Sequence, residues 1–102
     1  MKKIICLGIE VLDQIFTLKD LPITAGKYFA KEYLEVGGGP AATASVAISK
    51  LGGNAEFWGR VGNDSVGKRI LTELEQYGVD VKQVREIDNA SSAVSAVLVD
   101  KN

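Results

Sequence analysis

The run Val36-Gly-Gly-Gly-Pro40-Ala-Ala-Thr-Ala-Ser-Val-Ala-Ile-Ser-Lys-Leu-Gly52 decides how this chain folds. Gly37 to Gly39 free the backbone for conformations closed to other residues and let a ligand approach it closely. Pro40 suits the first position of a helix, where a missing N–H costs nothing. Ala44, Ala47, Ile48 and Leu51 then recur at helical spacing, and Gly52 stops the helix. The uncapped N–H groups of the first turn would point into the glycine loop, where an anion or a cluster of hydroxyls could be held. A tight turn with no ligand is the other reading of the same glycines.

Upstream, Lys3-Ile-Ile-Cys-Leu-Gly-Ile9 is an apolar run without alternation. Next to a helical pattern, it predicts a strand buried on both faces in a parallel sheet. Gln14 to Leu18 predicts a second short strand, residues 19–27 a turn region, and Tyr28 to Val36 a strand with two mixed faces. About 27 residues therefore separate the first strand from its helix, where two to six are usual. Ligands bind at the carboxyl ends of parallel strands, so this insert is a candidate lid.

Downstream, Glu56 to Val61 predicts the next strand, reached through Gly52-Gly53-Asn54. Strand, helix and strand make a βαβ unit. Asp64 is a plausible N-cap for a second helix, with Val66, Ile70, Leu71, Leu74 and Tyr77 as its apolar stripe. Arg69 and Glu73 read as an i,i+4 pair on its wet side. Gly78 ends that helix. Residues 79–85 read as extended, 88–92 as a polar turn and 93–99 as a strand. Residues 100–102 read as the start of a hairpin turn without a following partner, which predicts a truncated chain.

The chain has 102 residues, a net charge of −1, one cysteine and no histidine. That is one small domain with no electrostatic footprint for nucleic acid or an acidic membrane. No secretory signal and no membrane span are expected, because the opening apolar run is too short. A lone Cys6 forbids an internal disulfide and suits a reducing cytoplasm. Without histidine, His-based catalysis is excluded, and a zinc site of the usual ligands is not expected.

Asp13 follows the first strand, where a carboxylate could accept hydrogen bonds from substrate hydroxyls; a solvated loop carboxylate is the alternative. Lys27 at the entry to the insert's second strand could meet an anionic group on a ligand, or simply lie in water. Arg60 has the same two readings. Residues 62–67 read as a helix cap and turn. Trp58 reads as core and Cys6 as an inert buried thiol.

In this order, the parts resemble the N-terminal third of the ribokinase-like (PfkB) carbohydrate kinases. The features are Gly8 and then Asp13; Leu21-Pro22 and Gly26-Lys27; Val36 to Gly39 running into a small-residue helix; Leu51-Gly52; Gly59-Arg60-Val61-Gly62-Asn63-Asp64 through Gly67; and Gly78-Val79-Asp80. The phrases Leu21-Pro-x-x-x-Gly-Lys-Tyr28 and Glu35 to Ala44 are most similar to family members acting on 6-deoxy-6-sulfofructose.

The resemblance implies a ribokinase-like doubly wound α/β sheet, its N-terminal portion only, with a small β-sheet lid at about residues 14–36 and 93–99. The lid often pairs two subunits, which implies a homodimer. The implied reaction is transfer of the ATP γ-phosphoryl group to a sugar hydroxyl, with Mg2+. Asp13 would bind sugar hydroxyls; Gly37 and Gly38, with Gly39 alongside, would bring close backbone to the sugar. Residues 27–29 would close over it, and Lys27 is the natural charge partner of a sulfonate or phosphate on an acidic sugar. Ala42 stands where many members have asparagine, which weakens a ribose reading. The family's second signature, Asp-Thr-x-Gly-Ala-Gly-Asp, which supplies the catalytic base and anion hole, is absent, so the ATP site is not expected here. Two alternatives remain open: a non-catalytic sugar-binding or oligomerisation module, and a nucleoside kinase of the same fold.

Overall fold

The computed structural model describes residues 2–101. Its elements are β1 (Lys3–Leu7), β2 (Val11–Leu18), β3 (Glu32–Gly38), α1 (Pro40–Lys50), β4 (Asn54–Trp58), β5 (Arg60–Gly62), α2 (Ser65–Gln76), β6 (Arg85–Ile87) and β7 (Val94–Asp100). β1 and β4 pair in parallel across α1, which is the expected βαβ unit. β5 continues β4 past Gly59 and pairs in parallel with β6. The N–H of Phe57 bonds to the carbonyl of Asp80, and that of Arg85 to the carbonyl of Gly59. Residues 54–62 therefore form one line of chain between β1 and the segment 80–87.

A separate three-stranded sheet has the order β3–β2–β7. β2 is antiparallel to β3 and parallel to β7. The last strand pairs with β2 as far as Asp100, opposite Leu18, and the Lys101 N–H bonds to the Leu18 carbonyl, so the turn expected to start at residue 100 does not start there; Asn102 lies outside the described residues. β2 also starts at Val11, three residues earlier than the apolar pattern suggests, because Leu12 turns into the core.

Leu12, Ala42, Phe57, Val61, Ile70, Leu74 and Val79 form that core, which joins the two sheets and both helices. The α2 stripe is as expected for Val66, Ile70, Leu71 and Leu74, while Tyr77 is largely exposed and lies under the Lys50 ammonium, 4.8 Å from its ring centre. The α1 stripe is not: Ala44 and Ala47 are exposed and Leu51 is 88% exposed, while Ala42 and Ser45 are buried. With alanine on every face, period alone does not fix the phase of this helix. Ser45 tolerates burial because its hydroxyl donates to the Ala41 carbonyl at 2.9 Å.

Three further expectations are corrected. β1 is not buried on both faces; Ile4, Ile5 and Leu7 are 47%, 47% and 75% exposed. The elements of this chain cover only part of that strand. Trp58 is 39% exposed at the end of β4, not core. Cys6 is half-buried.

Candidate functional site

Two connections bring the candidate residues together. β1 passes into β2 through Gly8 to Glu10, and β3 passes into α1 through Gly39; the two run against each other. Gly39 has φ +94°, and a Cβ there would lie 2.6 Å from the Ile9 carbonyl oxygen and 2.7 Å from the Glu10 Cα. Only glycine fits both that backbone conformation and that approach. As N-cap it supplies no side chain, so the first turn of α1 carries no side-chain cap.

Asp13 lies within β2, beside Val36 on one strand and Ser95 on the other. Successive side chains of a strand alternate, so these three share one face of the sheet. Ser95 Oγ donates to Asp13 Oδ1 at 2.6 Å. Asp13 Oδ2 lies against Gly38, in the space that a Cβ on Gly38 would take. The carboxylate is thus held by one oxygen and seated on bare backbone by the other. A carboxylate with one oxygen so engaged keeps lone pairs for ligand hydroxyls.

Gly37 is on the edge strand, and its N–H donates to Glu73 Oε1 of α2 at 3.1 Å. One helical turn earlier, Arg69 binds Glu35 Oε1 at 2.7 Å. Arg69 and Glu73 are therefore not paired with each other, as their spacing suggests; both reach across to β3. Glu35 also accepts from the Tyr33 hydroxyl at 2.9 Å. That bond, with the Arg69 charge, holds its carboxyl below the usual range.

A cleft of about 860 Å³ opens at the carboxyl ends of β1 and β4, lined in part by Gly8, Glu10, Gly59, Arg60 and Ser92. Glu10 is 5% exposed, and burial pushes its pKa up to about 7, against the pull of a bond to its own backbone. Arg60 is on the cleft wall and exposed. The far wall is pinned by Asp64. Its Oδ1 caps α2 through the Gly67 N–H at 2.8 Å and accepts from Ser92 Oγ at 2.7 Å; Oδ2 accepts from the Ser92 N–H at 2.8 Å. These bonds hold the Asp64 carboxyl below its ordinary range, the Ser92 N–H foremost.

The structure thus joins Asp13 to Gly38 and sets Gly37 and Gly39 on either side. Lys27 stands apart in the exposed connection 19–31, and none of the described contacts joins it to Asp13 or the glycines. Glu10, Ser92 and Ser95 escape the sequence reading, which has Glu73 only as a surface partner of Arg69. Ser95 is 82 residues from Asp13 and Glu73 is 36 from Gly37, so only the assembled fold brings them in. Among the described residues, no group of three His, Cys, Asp or Glu side chains could hold a metal ion, and no helix is long and apolar enough to cross a membrane.

The pfkB family carbohydrate kinase model matches residues 1–102. An ATP-dependent ribose-1-phosphate kinase of Halopiger xanaduensis is 31% identical over 98% of this chain and 34% of its own length. A fructokinase of Klebsiella pneumoniae is 39% identical over 66% of this chain and 21% of its own. The structure of Arabidopsis thaliana ribokinase complexed with ribose and ATP superposes with a TM-score of 0.85 at 26% identity, over 96% of this chain and 32% of that one. The fold is ribokinase-like α/β. The chain spans about a third or less of the length of these relatives.

Proposed function

The chain belongs to the pfkB family of carbohydrate kinases, and on that footing we propose that the whole protein transfers the γ-phosphoryl group of ATP to a sugar hydroxyl. This chain carries the sugar side. The observation that carries the reading is the Asp13 carboxylate, fastened by Ser95 and seated on Gly38. A fixed acceptor beside bare backbone suits vicinal hydroxyls, which donate to the carboxylate while the ring lies close to the chain. Gly39 extends that surface toward α1, while Gly37 is turned to Glu73. Relatives with ribose and ATP bound, and with ATP bound, support ATP as the donor. Mg2+ follows from the chemistry, since phosphoryl transfer needs the charge on the phosphates neutralised. Neither group is assigned to a residue of this chain.

Within the family we assign an acidic sugar, of the sulfofructose type, with Lys27 meeting the sulfonate. Two things support this: the Leu21-Pro22 and Gly26-Lys27-Tyr28 phrase, and a relative named for a phosphorylated sugar. The β3–β2–β7 sheet is the lid, and its exposed Tyr33 and Leu98, which flank Phe16 on one face, suit pairing with a second lid in a cytoplasmic homodimer.

A coupled assay of the whole protein on neutral sugars, acidic sugars and nucleosides tests the reading. Turnover highest on an acidic sugar is expected. Turnover on nucleosides alone, or on nothing, contradicts it.

A further inference from the structure

We infer that Glu73, with Arg69 one turn before it, is a positioning residue that sets the Gly37 peptide and so the shape of the sugar cradle. The inference rests on the proposed sugar-kinase reading and goes beyond it, because neither residue belongs to the glycine run or to the strands of the lid.

β3 is an edge strand with β2 on one side only. The N–H of Gly37 would otherwise point to solvent, since an edge leaves alternate backbone groups without a ladder partner. Glu73 Oε1 takes it at 3.1 Å. The same oxygen lies 2.6 Å from the point where a Cβ on Gly37 would be, so the carboxylate also packs on the backbone it binds. Arg69 holds Glu35, two residues earlier on β3, at 2.7 Å. Two side chains of one helix therefore grip the strand on both sides of Val36.

What that grip controls is the next residue. Gly38 carries the seat of Asp13 Oδ2, and Gly39 begins α1. Rotation of the Gly37 peptide would move Gly38 against the Asp13 carboxylate. α2 is anchored independently, through Ile70 and Leu74 in the core and Asp64 at its N-terminus. It is a fixed post to which the end of β3 is tied. A charged acceptor on a backbone N–H also leaves that N–H unavailable to the sugar, which leaves Gly38 and Gly39 as the backbone nearest to it.

The test uses the whole protein and the variants Glu73→Ala, Glu73→Gln and Arg69→Ala. Glu73→Ala is expected to raise the KM for sugar about threefold to tenfold, the size of one net hydrogen bond, with the KM for ATP unchanged. Glu73→Gln keeps an acceptor and restores most of the sugar KM; a purely structural loss would not be rescued so selectively. In the absence of substrate, amide exchange at Gly37 is expected to quicken in Glu73→Ala and less in Glu73→Gln. Wild-type sugar KM in Glu73→Ala, or equal rises for sugar and ATP, overturns the inference. A wild-type protein that phosphorylates no sugar overturns the kinase reading instead. The Gly37 exchange rate then decides the clamp by itself, and an unchanged rate in Glu73→Ala rejects it.

Discussion

Asp13 Oδ2 occupies the place where Gly38 would carry a side chain. The two residues are partners in a strict sense: the carboxylate is where it is because position 38 has no Cβ. Its other oxygen is held by Ser95, at 2.6 Å, from a strand that reaches β2 only at the end of the chain. The Asp13 carboxylate and Gly38 are thus one unit, built by three strands.

Gly38→Ala is therefore expected to disturb the acceptor first. The new methyl group meets Asp13 and, at 3.3 Å, Val11. Relief requires the carboxylate to swing away from Ser95, at a cost of roughly 1–3 kcal/mol for an overpacked, half-buried site. Sugar affinity should fall and the melting temperature should drop by a few degrees. Sugar binding as tight as in the wild type would show that Asp13 is not seated this way.

Lys27→Ala separates acidic from neutral substrates. The side chain is exposed, so its removal should leave stability unchanged. If it meets a sulfonate or phosphate, the KM for an acidic sugar rises while that for its neutral counterpart does not. Equal changes for both sugars would remove Lys27 from substrate recognition.

Glu10 supplies a pH dependence of stability. Its pKa is raised by burial from 4.5 to about 7, so the folded form holds the proton more tightly than the unfolded chain does. Between these values the folded state binds more protons, and stability falls as pH rises through the window. Glu10→Gln, which cannot ionise, should therefore match the wild type near pH 4 and be more stable above pH 7. Paired thermal melts across that range provide the measurement. A difference that is constant with pH would mean that Glu10 is not desolvated.

Much of this arrangement is legible in the sequence, because its signals are local. The glycine run, Pro40 at the start of α1, the Asp64 cap and the α2 stripe each sit within a few residues of one another. The parallel β1–α1–β4 unit follows from them. What is not legible depends on distant pairing. Ser95 looks like an ordinary polar residue until β7 docks on β2, and Ser92 until the loop before β7 lies against Gly62 and Asp64. Arg69 and Glu73 have the spacing of a helix-surface pair, and only the closeness of β3 turns them outward to Glu35 and Gly37. The α1 phase is ambiguous because alanine is small enough for either face. The exposure of Ile4, Ile5 and Leu7 in β1 is not legible because an apolar run does not say how many elements pack on it.

The most direct measurement is calorimetry of sugar binding to the whole protein and its Asp13→Ala variant. If Asp13 accepts the sugar hydroxyls, removing it weakens binding about tenfold or more, the loss of a charged acceptor, while the protein stays folded. Unchanged affinity in a folded Asp13→Ala protein would contradict the account at its centre.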